Sequence, residues 1–322
     1  MIPNIYDLSR AIPGTKCLHN WIKRAALPLL FLILSTVVRG QSALDGFDPN
    51  PDGTHAFGIV QPDGKILIFG DFTTVSPNGG AAVPRNRIAR LNPDGTLDAA
   101  FNPNANGWVR AIALQADGRI LVGGAFTQIG GRPRKNIARL DPTTGEADSF
   151  DPNSNWEVMS LAVQADGKIL VGGNFWGPNS IGGQSRNRIA RLDPTTGLAD
   201  SFDPNADVTV VSFATQRDGK ILVGGAFNGV GGQPRRGIAR LDPTTGLADS
   251  FNANANGNVA AVVVQPDGKI LVGGDFSIIG GQARGRVARL DPTTGTADSF
   301  NPNANDPNSY SSVYSIALQA DG

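Results

Sequence analysis

Residues 112–124 read IALQADGRILVGG, two apolar runs rich in β-branched residues on either side of an Asp-Gly pair. Asp-Gly between two such runs is a strong short-range signal for a β-hairpin with a two-residue type I′ turn, in which glycine supplies a positive φ angle. The stretch therefore predicts two adjacent antiparallel strands.

The same hairpin sequence recurs along the chain. Asp-Gly followed by Lys or Arg begins at Asp63, Asp117, Asp166, Asp218 and Asp267, and a sixth Asp-Gly lies at 321–322. The steps between them are 54, 49, 52, 49 and 54 residues. In the second copy the hairpin is followed by a Gly-rich stretch, which predicts a flexible surface loop, and then by the strand IARL, the turn DPTTG and the segment EADSF. Each copy thus predicts four short strands.

Repetition of four short strands about every 50 residues predicts an all-β fold, a β-propeller of four-stranded antiparallel blades with five complete units and an incomplete sixth. A β-solenoid is the alternative, although its coils are usually shorter than 50 residues. The paired glycines of VGG suit close approach between blades. The core between the blades is predicted to contain Phe126, Phe175, Phe227, Phe276, Phe150, Phe202, Phe251 and Phe300.

The repeated pattern QADGKILVGGxF, then IGG, then RNRIARLDPTTGxADSFDPN, resembles the delta-60 repeat family of bacterial secreted and surface proteins. The resemblance covers about residues 44–322. It implies a β-propeller-type fold and a location outside the cytoplasm, and members of the family mostly lack an assigned activity. The first copy departs from the pattern, because it reads LIFGDF where the others read LVGG, and it carries the insertion SPNGGAAVP.

The N-terminus has the layout of a secretory signal peptide, which we assign to residues 1–40. A basic stretch over residues 1–24 precedes an apolar run from Ala25 to Val38, and small residues follow. This run is shorter than the roughly 20 residues that span a bilayer; an uncleaved anchor is the alternative. We therefore expect a secreted, surface or periplasmic repeat domain over residues 41–322, without a membrane span.

Composition argues against catalysis and against several ligand classes. Lys and Arg number 28 and Asp and Glu also number 28, which is unlike a basic nucleic-acid-binding domain. The chain holds two His, two Glu and one Cys, and the turns lack the spacing of a calcium loop. We therefore predict no nucleic acid, no metal, no cofactor and no catalytic residue. The protein is thus predicted to be a non-catalytic binding or structural module. The alternative is a carbohydrate-active or other hydrolytic enzyme with its site in the central channel.

One arginine recurs in each IARL or VARL strand. We predict that it pairs within the repeat with the acid of A-D-S-F, for example Asp148 or Asp200; a ring of positive charge for an anionic ligand is the alternative. Basic residues just before this strand, such as Arg134 and Arg186, are predicted to form solvated loop ends. The repeated arginines are Arg90, Arg139, Arg191, Arg240 and Arg289.

Three tryptophans break the repeat pattern and are the candidate ligand-contact residues. Trp108 and Trp156 enter successive copies at nearly equivalent positions, and Trp176 lies in the insertion WGPNS. Exposed tryptophan is a common anchor for partner proteins and for sugar faces, so we predict an extracellular protein or a glycan as the partner. The alternative is that the tryptophans pack against the edge of a blade instead of contacting a partner.

The two ends of the repeat region predict further sequence. LDGFDPN at residues 44–50 matches the last strand of a repeat, and VYSIALQADG at residues 313–322 matches a first strand. Completing a sixth blade requires two middle strands. We therefore expect the natural product to continue beyond residue 322.

Overall fold

A computed structural model describes residues 6–7, 48–304 and 311–318. The apolar run of the predicted signal peptide, its expected cleavage region, and the sixth Asp-Gly lie outside the described residues. A short strand, Tyr6–Asp7, pairs antiparallel with the first strand of the repeat region through Tyr6 with Gly58 and Asp7 with Phe57. Apart from a single 3₁₀ turn at Pro77–Gly79, the described residues contain no helix.

Each of five repeats, numbered 1 to 5 by their Asp-Gly turns, contributes three strands to an antiparallel sheet of its own, and Tyr6–Asp7 adds a fourth strand to the sheet of repeat 1. The first strands are Ala56–Val60, Trp108–Leu114, Val158–Val163, Val210–Thr215 and Val259–Val264. The second strands are Ile66–Gly70, Ile120–Ala125, Ile169–Gly173, Ile221–Gly225 and Ile270–Gly274. The third strands are Ile88–Leu91, Ile137–Leu140, Ile189–Leu192, Ile238–Leu241 and Val287–Leu290.

The segment predicted as a fourth strand contributes one isolated bridge to each repeat, such as Leu140 with Ala147. The ladder stops there because its next backbone groups have other partners. The Asp148 carbonyl accepts the Arg134 guanidinium, and the Asp148 carboxylate accepts the Phe150 N–H at 2.8 Å. The main sheet of each repeat therefore has three regular strands, and the fourth segment is joined to the third strand by the bridge, with Asp148 N–H donating to Arg139 O, and by side-chain bonds.

The Asp-Gly hairpin is present at all five Asp-Gly positions that the structure describes, but its turn differs from the predicted type I′. Around Asp117, Gln115 N donates to Arg119 O and Gly118 N donates to Gln115 O, and Gly118 alone in the turn has a positive φ, of 86°. These features define a three-residue loop that closes with a glycine bulge. The Asp117 side chain accepts the Arg119 N–H at 3.0 Å, so aspartate stabilises the turn without adopting a positive φ.

The Gly-rich stretch after the second strand is more ordered than a flexible surface loop. Gln128–Ile129 pairs with Arg132–Pro133 in a small hairpin, and Ile129 is fully buried. Gly130 has a φ of 58°, and a Cβ there would collide with the Ala147 backbone. Similar hairpins occur at Thr74–Val75 with Val83–Pro84, Gly229–Val230 with Gln233–Pro234, and Ile278–Ile279 with Gln282–Ala283; in repeat 3 the Ile181–Gln184 bridge takes their place.

Hydrophobic clusters form between consecutive repeats, as the sequence predicts. One cluster joins Leu121 and Phe150 of repeat 2 to Val158 and Phe175 of repeat 3, and equivalent clusters join repeats 1 and 2, 3 and 4, and 4 and 5. Seven of the eight predicted core phenylalanines are buried. Phe300 is 37 % exposed, because the described residues after it contain no D-P-T-T-G turn to cover its ring.

The two glycines of VGG have different roles. A Cβ on Gly123 would lie 2.5 Å from Val158 Cγ1 of the next repeat, which confirms the predicted close approach between sheets. A Cβ on Gly124 would instead meet the Trp108 carbonyl of its own sheet. In the described segment 311–318, Val313 lies against Gly273 as Val158 lies against Gly123, although the segment forms no regular strand.

The first repeat carries an aromatic residue where the others carry the first of these glycines. Phe69 is fully buried, joins the cluster shared with repeat 2, and stacks on the partly buried Phe57 with ring centroids 5.6 Å apart. Phe57 and Phe69 face each other in the strand register. The LIFG departure thus changes the filling of this junction while the strand pairing is preserved.

We predict that Gly224→Ala lowers the free energy of unfolding by about 1–3 kcal/mol, since its Cβ would be forced against the next repeat. That Cβ would lie 2.9 Å from both Val259 O and Val262 Cγ2. Gly229→Ala, in the same repeat, is the control, because the nearest atom to its Cβ would be 3.7 Å away. Denaturant unfolding measures both variants; equal stabilities would contradict the assigned role of Gly224.

Candidate functional site

The residues that differ most between repeats lie at one end of each sheet, where the first strand begins and the second strand ends; we call this end the variable edge. Ala56 pairs with Gly70 in repeat 1, and Val109 pairs with Gly124 in repeat 2. Ala56 and Val109 therefore occupy the equivalent position in the two sheets. The residue just before this position is different in every repeat: His55, Trp108, Glu157, Thr209 and Asn258. Such divergence in an otherwise repetitive chain marks the variable edge as the candidate site.

A β-bulge corrects the alignment that the sequence alone suggests. The first strands of repeats 2 to 5 shift register, for example between Val109 and Ala111, whereas that of repeat 1 pairs without a shift. Counting back from the repeated glutamine therefore aligns His55 with Val109, but the structure aligns it with Trp108. Repeats 2 and 3 share the bulge, and there Trp156 lies one residue before the position equivalent to Trp108; Glu157 occupies that position.

His55 is oriented by a carboxylate at the variable edge of repeat 1. Its Nδ1 lies 3.1 Å from Asp71 Oδ2, its backbone N–H donates to Asp71 Oδ1 at 2.9 Å, and Thr54 Oγ1 donates to Asp71 Oδ2 at 2.7 Å. Burial raises the pKa of Asp71, but these hydrogen bonds outweigh that effect and hold the pKa below its usual value. An ionised Asp71 thus orients an imidazole whose side chain is 52 % exposed.

Trp108 connects this pair to repeat 3. The Arg110 guanidinium carbon lies 4.1 Å from the centroid of the Trp108 ring, and the His55 ring centroid lies 6.0 Å from it. Arg110 Nε donates to Glu157 Oε1 at 2.8 Å. Contact between the His55 and Trp108 rings therefore links repeats 1 and 2 at the variable edge, and the Arg110–Glu157 ion pair links repeats 2 and 3. The cation–π contact lies within repeat 2 and orients Arg110.

The network continues into repeat 4 through an amide. Asn174 Nδ2 donates to Glu157 Oε2 at 3.4 Å, and Thr209 Oγ1 donates to Asn174 Oδ1 at 2.5 Å. Glu157 thus has a cation on one oxygen and an amide on the other. The sequence marks Glu157 as nonrepeated but does not predict Arg110 or Glu157 as site residues; the signal that identifies both is that each differs from the residues at equivalent positions among repeats 2 to 5.

All three predicted tryptophans lie at the variable edge. Trp156 is 58 % and Trp176 56 % exposed, and Asn155 Nδ2 donates to Trp176 O at 2.9 Å, which holds both on the same end of repeat 3. Trp108 is 37 % exposed beside Arg110. Packing onto the sheet therefore leaves a large part of each ring accessible.

The repeated arginines pair with aspartates within their own repeats, as predicted. Arg191 Nε donates to Asp200 Oδ2 at 2.7 Å, Lys168 Nζ donates to the same oxygen at 2.9 Å, and the guanidinium lies over Phe202. The other repeats pair Arg90 with Asp98, Arg139 with Asp148, Arg240 with Asp249 and Arg289 with Asp298. The third-strand arginines therefore do not form a ring of unpaired positive charge.

The prediction of solvated loop ends is wrong for the arginine that lies three residues before the start of each third strand, as Arg134 lies before Ile137. Arg134 and Arg186 have side chains only 10 % and 11 % exposed, and each donates Nη2 to the backbone carbonyl of the aspartate in its repeat. Their aliphatic stems pack along the sheet while the guanidinium ties the third strand to the fourth segment.

Residues 6–7, 48–304 and 311–318 hold no group of three or more His, Cys, Asp or Glu side chains that could bind a metal ion. In the same ranges, no helix has the length and apolar character needed to cross a membrane.

Repeated antiparallel sheets, each packed on the next, define an all-β repeat protein of the propeller type. The chain belongs to the family described as "Domain of unknown function (DUF5122) beta-propeller", whose model matches residues 61–101, 115–150, 164–201, 216–251 and 265–300. Each match begins at the glutamine before an Asp-Gly turn; four of the five end at the phenylalanine of the fourth segment, and the third ends one residue before it, at Ser201.

Two solved structures are similar to the chain. One is a protein of unknown function from Bacteroides caccae, 14% identical, with 78% of this chain and 92% of that chain covered and a TM-score of 0.44. The other is a streptogramin B lyase, 19% identical, with 77% of this chain and 68% of that chain covered and a TM-score of 0.47. No curated protein matches the sequence significantly.

We predict that Asp200→Asn destabilises the protein by about 1.5–3 kcal/mol, because it leaves Arg191 and Lys168 without their shared anion. Asp203→Asn is the control, since Asp203 is 44 % exposed and lies 3.9 Å from Arg186; we expect a change within about 0.5 kcal/mol. Urea unfolding of both variants measures the difference. A loss of equal size in both would assign the effect to net charge.

We also predict that the protein loses stability in acid. Burial raises the pKa of Asp298, but hydrogen bonds from Phe300 N, Arg289 and Lys269 outweigh it and lower the pKa to about 2. The pKa values of Asp200 and Asp249 are lowered by equivalent contacts. Because the folded-state pKa lies below the unfolded one, the stabilisation is complete above about pH 4 and is lost toward about pH 2. Urea midpoints that stay constant over this range would refute the prediction.

Proposed function

We propose that the protein is a secreted, non-catalytic β-propeller that acts as a binding or structural interaction module at or outside the cell surface. The observation that carries the proposal is the exposure of Trp108, Trp156 and Trp176 on one edge of two consecutive repeats. Burial of aromatic surface stabilises folded proteins, so rings left open to solvent on an ordered edge are suited to a partner.

The proposal includes the finer architecture of the domain. Each blade consists of the three strands and the bridged fourth segment; five blades are complete and a sixth is incomplete. Residues 1–40 act as the signal peptide, and residues 41–322 form the exported repeat domain, as the resemblance to the delta-60 repeat implies. Blade closure would then bring the variable edges onto one face.

Of the two partner classes, a glycan suits the tryptophans better than an extracellular protein. The three rings are separated by polar groups of Arg110, Glu157 and Asn155. Flat aromatic faces contact the C–H faces of sugar rings, while neighbouring polar groups bond the hydroxyls. A protein partner would more often meet a continuous apolar patch than rings separated by charge.

A hydrolytic enzyme remains the second candidate function, and the pair of His55 and Asp71 is the observation that favours it. In a catalytic triad the carboxylate and the nucleophile contact opposite nitrogens of the imidazole. Here Thr54 Oγ1 and Asp71 Oδ2 both approach Nδ1, at 2.9 and 3.1 Å. The hydroxyl is thus on the wrong side of the ring, which favours the binding module.

We predict that the full chain binds immobilised glycans and that Trp156→Ala with Trp176→Ala weakens binding at least about tenfold, because anchoring aromatic side chains carry much of the binding energy. Trp108→Ala is tested separately. Leu198→Ala is the control, since Leu198 is also 58 % exposed but lies in the turn after a third strand, away from the variable edge.

Several outcomes would contradict this function. Failure to bind any glycan, with specific capture of one extracellular protein that the tryptophan variants abolish, would assign the site to a protein partner. Hydrolysis of glycosides, lactones or peptides above background, abolished by His55→Ala, would establish the enzymatic alternative. An equal loss of glycan binding in Leu198→Ala would show nonspecific adhesion.

A further inference from the structure

A cavity of about 280 Å³ lies at the variable edge between repeats 4 and 5. Arg236 lines it from the segment before the third strand of repeat 4, and Gly257 and Asn258 line it from the segment before the first strand of repeat 5. Asp275, directly after the second strand of repeat 5, completes the wall. The cavity therefore lies between two sheets whose relative position the hydrophobic cluster fixes.

The cavity is present because small residues replace large ones at equivalent positions. Asn258 stands where repeat 2 has Trp108, and Gly257 stands where repeat 3 has Trp156. Ala226, at the end of the second strand of repeat 4, adds little volume. The large side chains of Trp108 and Trp156, which occupy the variable edge in repeats 2 and 3, therefore have no counterpart at these positions in repeat 5.

The wall carries a cation that is free to bind an anion. Arg236 is exposed, its Nη2 donates to Asn256 O at 3.1 Å, and it forms no ion pair with any residue that the structure describes. The remaining guanidinium N–H groups form a planar fork whose geometry matches a carboxylate. Arg236 is thus the anion-binding element of the cavity.

The opposite wall suits hydroxyl groups. The Asp275 carboxylate accepts Asn258 N–H at 2.5 Å and Asn258 Nδ2 at 3.0 Å, which leaves further lone pairs for other donors. Asn228 adds a side-chain amide from repeat 4. Since a hydroxyl both donates and accepts, it can bond a carboxylate and an amide together.

We propose that this cavity binds a sugar acid, a monosaccharide unit that carries a carboxylate and several hydroxyls. Arg236 binds the carboxylate, and Asp275, Asn228 and Asn258 bind the hydroxyls. A neutral hexose would leave Arg236 without its anion, and an α-amino acid would leave the amides of two repeats without hydroxyls. The site is separate from the tryptophans and does not depend on their function.

Saturation-transfer NMR and calorimetry on the full chain, with glucuronate, glucose and serine as probes, test the proposal. We expect saturable binding of glucuronate that is tighter than that of glucose or serine. Arg236→Gln should weaken glucuronate binding at least about tenfold through loss of the charged fork. Lys135→Gln removes a charge at the equivalent position of repeat 2 and should leave the affinity unchanged.

Two further variants identify the site. Asn258→Trp introduces the residue of repeat 2 and should fill the cavity and abolish binding, while Trp156→Ala with Trp176→Ala should leave glucuronate binding intact. Thermal unfolding establishes that each variant is folded. Absence of saturable glucuronate binding, equal affinity for glucose or serine, an equal loss in Lys135→Gln, or a loss only in the tryptophan variant would overturn the proposal.

Discussion

The structure depends on one junction that recurs between repeats, at the arginine of the third strand. Arg139 lies over the Phe150 ring, pairs with Asp148, and donates Nη1 to Pro194 O in the D-P-T-T-G turn of the next repeat. Gly197 of that turn lies against the same phenylalanine. A three-stranded sheet cannot bury both of its faces alone, so each repeat needs this contact with the next one. The ion pair, the aromatic ring and the turn therefore tolerate little change.

This requirement divides each repeat into a constant part and a variable part. The D-P-T-T-G turn and the third-strand arginine lie at or near the end of the sheet opposite the variable edge. Charged groups near this end form ion pairs, such as those of Asp200 with Arg191 and Lys168. At the variable edge, the contacts between neighbouring repeats differ from one pair to the next, as in Arg110 with Glu157 and Thr209 with Asn174. The same position there holds a histidine in one repeat, a tryptophan in another and an asparagine beside a cavity in a third, so one fold provides several different chemical surfaces.

Much of the fold could be predicted because turns and strands are local. The Asp-Gly and D-P-T-T-G motifs position their turns through hydrogen bonds within a few residues, as in Asp141 with Thr143 N and Thr144 N. The buried phenylalanines and the Arg–Asp pairs also follow from repetition alone, since a residue needed at one junction is needed at each. The predicted fourth strand is reduced to one bridge because the Asp148 carbonyl and the Phe150 N–H bond to side chains, those of Arg134 and Asp148, instead of to the third strand.

The sequence by itself determined the repeat length, the order of strands and turns, the junction residues, and the three tryptophans as positions of divergence. The tertiary structure alone decided which divergent residues meet. Because of the bulge between Val109 and Ala111, Trp108 instead of Val109 occupies the position equivalent to His55. Only the packing of neighbouring sheets brings Arg110 to Glu157 and leaves space beside Arg236. The physical reason is range: turn and strand preferences act within a few residues, whereas a site between sheets is assembled from residues about 50 positions apart.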